Sequence, residues 1–171
     1  MRTVPLLLLL LGMPTLAQQD APPNCSDDEI YAALDFWVGE WDVYVGDELV
    51  GSNRIEKILS GCAVLEHWRG AGGGEGKSLF FVTGDGRWKQ VWVTEWATRA
   101  GGVKEKTFEA MDSPNDVRFQ GRIVLPDGGS YFDRTTLTLL PSGDVRQVIE
   151  TSTDEGRSWT AGFDAIYRRS E

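Results

Sequence analysis

The chain has 171 residues, with 26 acidic against 17 basic side chains and a formal net charge of −9. That acidity argues against nucleic acid or an anionic membrane surface as a partner, since both repel negative charge. One histidine and two cysteines make no multi-Cys/His metal cluster, and no cofactor is expected.

The chain begins MRTVPLLLLLLGMPTLAQQD. Arg2 supplies a short positive region, Val4 to Leu11 an apolar stretch, and Thr15-Leu16-Ala17 a small-residue cleavage site, the pattern of a secretory signal peptide over residues 1–17. The stretch is too short to cross a bilayer as a helix, and no later run is longer, so stable membrane insertion is not expected. Cys25 follows Pro-Pro-Asn rather than a lipobox, which argues against a lipid anchor. The expected location is periplasmic or secreted. Cleavage after Ala17 leaves 16 basic and 26 acidic residues, a net charge of −10, on a chain sized for one domain.

Residues 18–34 read as a polar, proline-rich leader and a short helix. Ser26-Asp27-Asp28-Glu29 has the spacing of a capping box and predicts a helix through about Leu34. In an exported chain with two cysteines, a Cys25–Cys62 disulfide is the expected pairing. A free, buried Cys62 is the alternative.

From residue 35 the period changes. Alternating segments near 36–46, 49–59, 62–69, 77–83, 87–96, 102–110, 116–125, 130–140, 144–152 and 158–168 read as strands, separated by Gly, Asp, Asn and Pro clusters. No helical segment falls between them, so neighbours pair antiparallel as hairpins. Even spacing and short turns predict an all-β, up-and-down antiparallel barrel of about ten strands over 35–169, ahead of a sandwich. The stretch AGGGEGKS, residues 71–78, has the spacing of a phosphate-binding loop with Ala in the first position. A phosphate loop leads into a helix, whereas Leu79-Phe80-Phe81-Val82 reads as strand, so the stretch is expected to be a hairpin loop.

Gly39-Glu40-Trp41 forms a G-x-W at the entrance to the first strand. It resembles the opening motif of lipocalins (the calycin superfamily), and DFWVGEWDV, GCAVLEHW, GKSLFF, RWKQVWV, VRQVIETSTDEGRSW and FDAIYRR together resemble secreted bacterial lipocalin-like proteins of unassigned activity. The resemblance implies that Trp41 plugs a closed barrel end and that an arginine of the last strand packs over it, with Arg168 the first candidate. Haem-carrying barrels have a histidine in the closing strands; here His67 is the single histidine, expected to be a surface or satisfied residue. Ser152 to Trp159 also fits S-x-D-x-G-x-[ST]-W, similar to the Asp-box hairpin of sialidase propellers. There Asp154 would accept turn amides, Gly156 would take the tight position and Trp159 would cover the hairpin.

Alternation assigns faces. Trp88, Gln90, Trp92, Thr94 and Trp96 are expected to point inward, as are Val145, Gln147 and Ile149, and Trp159, Ala161, Phe163, Ala165 and Tyr167. In 62–69 two registers compete: Cys62, Val64, Glu66 and Trp68, or Ala63, Leu65 and His67. The expected interior is apolar and aromatic, with Trp68, Gln90, Trp92, Gln147 and Phe163 facing a ligand; the alternative is that the seven tryptophans fill the barrel. The functional expectation is a monomer binding a small apolar or amphipathic molecule. No Ser-His-Asp motif is evident. An inward Glu66 and Asp133 would allow a cofactor-independent proton-transfer enzyme, an isomerase, cyclase or hydratase, unless those carboxylates lie outward or in salt bridges.

Overall fold

The computed structural model describes residues 22–96, 99, 101–109, 113 and 115–171; residues 1–17, expected to be a signal peptide, lie outside them. Ten strands run in chain order: β1 Gly39–Val45, β2 Glu48–Ile58, β3 Ala63–Gly70, β4 Glu75–Val82, β5 Trp88–Thr94, β6 Val103–Glu109, β7 Asp116–Val124, β8 Ser130–Leu139, β9 Val145–Ser152 and β10 Thr160–Arg169. Each pairs antiparallel with its sequence neighbour, and β1 pairs with β10 to close the barrel. Closure leaves no unpaired sheet edge. AGGGEGKS is the β3–β4 connection running into β4, with no helix after it.

The short N-terminal helix is a 3-10 turn, Glu29–Ala32, followed by a second, Asp35–Trp37. Its cap is Asp28, whose Oδ1 accepts from Ile30 N–H at 3.1 Å, rather than Ser26. The 3-10 turn at Asp35–Trp37 also delays the first strand to Gly39. This segment crosses one end of the barrel. Trp88 Nε1 donates to Ile30 O at 2.8 Å, Cys25 N–H donates to Ser60 O at 3.0 Å, and the Cys25–Cys62 disulfide ties the leader to the start of β3.

The end beneath this segment is packed solid. Trp37, Trp41, Val43, Val64, Phe119 and Val145 are fully buried, with Ile55, Phe80, Leu137 and Tyr167 nearly so. Trp37 meets Phe80 edge-on at 5.6 Å and Tyr167 at 6.1 Å. Apart from Trp37, which the 3-10 turn supplies, these residues come from inward strand positions at the covered end, so the alternation that made the barrel also fills this half of it.

Three expectations change. Arg169, not Arg168, lies over Trp41, with Cζ 3.9 Å from the ring centroid; Arg168 stacks on Tyr44. Arg169 shares the inward parity of Tyr167, two residues away, and pairs with Trp41 across β1 and β10. Trp159 and Ala161 do not point inward. A register shift between Ala161 and Phe163 reverses the alternation, and Trp159 instead stacks beneath Arg134, 4.0 Å from its Cζ. Trp96 sits past the end of β5 and is 54% exposed.

The hairpin turn at Ser152 to Trp159 forms as its motif implied. Asp154 accepts from Ser158 N–H at 2.9 Å and from Ser158 Oγ at 2.7 Å, and Trp159 Nε1 donates to Gly156 O at 3.0 Å. Those bonds, the Ser158 hydroxyl first, hold the Asp154 carboxyl at about 2. Gly156 has φ +81°, a left-handed conformation that glycine adopts without strain.

Candidate functional site

The half of the barrel away from the 3-10 segment is hollow. A cavity of about 380 Å³ lies there. The register of β3 resolves to Val64, Glu66 and Trp68 inward, because Asn53 of β2 stands opposite Trp68 and Ile55 opposite Glu66. His67 faces out, its Nε2 2.8 Å from Glu56 Oε1.

The upper wall is aromatic. Trp68 meets Phe163 edge-on at 6.3 Å, and Trp92 lines the cavity as well. Two glycines make room for these indoles. A Cβ on Gly51 would stand 2.6 Å from Trp68 Cη2, and one on Gly76 would stand 2.2 Å from Trp92 Cη2. All five expected ligand-facing residues, Trp68, Gln90, Trp92, Gln147 and Phe163, line this one cavity.

Its deeper wall is polar and charged. Asn53 Nδ2 donates to Glu66 Oε1 at 2.7 Å, Gln90 Nε2 donates to Ser78 Oγ at 3.0 Å, and Tyr167 Oη donates to Gln147 Oε1 at 2.7 Å. Gln90 Oε1 is buried and has no hydrogen-bond partner among the described residues. Such a stranded acceptor costs about 1–3 kcal/mol, which a ligand donor would recover.

Asp133, fully buried, is held by two lysines that sequence reasoning missed. Lys104 Nζ lies 2.5 Å from its Oδ2, and Lys106 Nζ pairs with its Oδ1 while donating to Thr135 Oγ1 at 2.5 Å. Glu66 and Asp133 are thus both inward, but Asp133 is tied into ion pairs rather than free to act with Glu66. In VKEKTFE, Lys104, Lys106 and Phe108 share one parity, and an inward Phe108 carries the lysines in with it. An inward carboxylate at Asp133 was the signal that required an inward cation, which comes from β6, on the far side of β7 from β8.

Burial raises the Glu66 carboxyl above its ordinary range, against hydrogen bonds from Ser78 and Asn53 and the field of Lys106. Burial lowers the Lys106 amine to about 8, with Asp133 opposing and Lys104 reinforcing the shift. Tyr167 is pushed well above its usual value, first by burial and then by Glu66. The cavity therefore joins an apolar mouth to a base that accepts, donates and carries titratable groups shifted by burial. Among the described residues, no group of His, Cys, Asp and Glu is arranged to hold a metal ion, and no helix is long and apolar enough to cross a membrane.

No protein-family model matches the chain, and no curated protein matches it either.

Proposed function

We propose that this chain is an exported, monomeric, lipocalin-like barrel that binds one small amphipathic molecule in its interior. The observation that carries the reading is the division of one cavity into an aromatic mouth, Trp68, Trp92 and Phe163, and a polar base at Gln90, Gln147 and the Lys104–Asp133–Lys106 cluster. An apolar body satisfies the first and a hydrogen-bonding head the second. The filled lower half supports the same reading, since it supplies a rigid base against which the head is positioned. Export is supported by the signal-like residues 1–17 and by the disulfide, which persists in oxidising compartments.

Native mass spectrometry of protein purified from its own host tests the reading, together with titration by the apolar dye 8-anilinonaphthalene-1-sulfonate. A co-purifying molecule, or saturable dye binding at one per chain with a change in tryptophan emission, is the expected result. Bare mass and no dye binding would overturn it.

A second reading is a cofactor-independent proton-transfer enzyme. What favours it is the opposed titration of Glu66, raised, and Lys106, lowered, beside one cavity. Its acid and base are then Glu66 and Lys106, because Asp133 is occupied by both lysines. Turnover of a bound compound, lost in Glu66→Gln with binding intact, would place this reading first.

A further inference from the structure

Two cations serve one buried carboxylate inside this barrel. Asp133 sits between Lys104 and Lys106, one on each oxygen, so it keeps a partner if either lysine loses its proton. The side chain of Lys106 is 3% exposed against 19% for Lys104, and the deeper ammonium carries the greater desolvation cost. Burial therefore favours loss of a proton from Lys106, whose amine it lowers to about 8. A lysine desolvated by burial beside a second cation is an activated nucleophile. Lys106 lines the cavity, with Glu66 on the same lining.

We propose that Lys106 captures carbonyl compounds, condensing with an aldehyde or ketone bearing an apolar body to form an imine inside the barrel. The inference rests on the reading of the cavity as a small-molecule site and names the chemistry of its occupant. The amine nitrogen adds to the carbonyl carbon, and the carbonyl oxygen takes the proton of the Glu66 carboxylic acid. The nitrogen, now ammonium, returns one proton to Glu66. The hydroxyl takes that proton and leaves as water while the nitrogen lone pair closes the C=N bond. One water is released, nothing is oxidised or reduced, and the products are an iminium on Lys106 and the Glu66 carboxylate as its counter-ion. Burial raises the Glu66 carboxyl and lowers the Lys106 amine to about 8, so each shifts towards the protonation state from which the step starts. The aromatic mouth holds the body of the carbonyl compound, and exclusion of bulk water opposes hydrolysis of the product.

The test uses the mature chain, residues 18–171, with trans-cinnamaldehyde and sodium cyanoborohydride, followed by whole-protein mass and peptide mapping. Cinnamyl alcohol, which has no carbonyl, measures reversible occupancy by equilibrium dialysis. At pH 8 an amine with a pKa of about 8 is about 100-fold richer in free base than an ordinary surface lysine. One adduct per chain is expected, mapped to Lys106 and forming well ahead of any other. Its rate should rise from pH 6 to 9; the titratable groups facing Lys106 are Asp133, Lys104 and Glu66, with Tyr131 and Tyr167 beside them. Lys106→Arg keeps a cation on Asp133 without a nucleophile and is expected to form no adduct, while the peptide map of the parent carries the assignment to Lys106 whatever the variant's occupancy. Adducts scattered over surface lysines, or unchanged in Lys106→Arg, would overturn the proposal. Alcohol binding without any adduct would also overturn it, leaving the carrier reading intact. A parent that neither binds the alcohol nor forms an adduct would remove both.

Discussion

The guanidinium of Arg169 lies over Trp41, its Cζ 3.9 Å from the ring centroid, and its Nη1–H donates to Val38 O at 2.8 Å. The same side chain explains Gly39. A Cβ there would fall 1.7 Å from Arg169 Nη1, and the backbone has φ +142°. In G-x-W the glycine thus leaves space for the arginine that covers the tryptophan. Trp41→Ala is expected to cost about 3–5 kcal/mol, as for other large core truncations. Arg169→Ala should cost about 1–2 kcal/mol, from a cation–π contact and one charged hydrogen bond. Arg168→Ala should cost less than Arg169→Ala. Urea unfolding of the three variants checks the order; Arg168→Ala proving the more damaging arginine change would contradict it.

The Cys25–Cys62 disulfide closes a loop with a sequence separation of 37. The chain-entropy model assigns such a loop about 4 kcal/mol. Cys25→Ala with Cys62→Ala is expected to lower the thermal midpoint and loosen the 3-10 segment over the filled end. Hydrogen exchange should rise first in residues 25–37; protection unchanged there would mean that Trp37 and Trp88 hold the segment unaided.

Glu66 gives stability a defined pH dependence. Its folded pKa lies above the ordinary 4.5, so the folded state binds this proton more tightly than the unfolded chain does. The contribution is fully present below about 4.5 and is lost as pH rises through the folded value. Lys106 acts in another window: its folded value of about 8 lies below 10.5, so stability gains from it as pH rises from 8 to 10.5. Glu66→Gln keeps an acceptor for Asn53 and removes the titration. Above about pH 4.5 its stability should be flatter with pH than that of the parent, and equal or greater once the parent's carboxyl has lost its proton. An identical pH slope in both proteins would show that Glu66 does not titrate across that range.

Gly76 separates a hollow mouth from a blocked one. Gly76→Ala places a Cβ 2.2 Å from Trp92 Cη2, which must move the indole, at about 1–3 kcal/mol of stability. Dye affinity is expected to fall with it. Adding Trp92→Leu should relieve the clash and restore both, a non-additivity diagnostic of contact. Affinity unaffected by Gly76→Ala would locate the dye elsewhere.

The all-β class, the ten antiparallel strands, the hairpin nature of AGGGEGKS and the inward set Gln90, Trp92, Gln147 and Phe163 were legible because period-2 alternation and turn residues are local signals. The parity rule even contained Arg169, through Tyr167 two positions earlier. What the sequence alone left undecided depended on contacts between distant strands. The β3 register was settled by Asn53 and Ile55 of β2, and the facing of Trp159 was reversed by the register shift after Ala161. Lys104 and Lys106 turn inward because Asp133, far along the chain on β8, balances their charge; read one strand at a time, two lysines belong outside. Closure by β1 and β10, and the division into a filled half and a hollow one, belong to the tertiary structure for the same reason. Strand periodicity says which side chains face the axis, but only the assembled barrel decides how much space they leave between them.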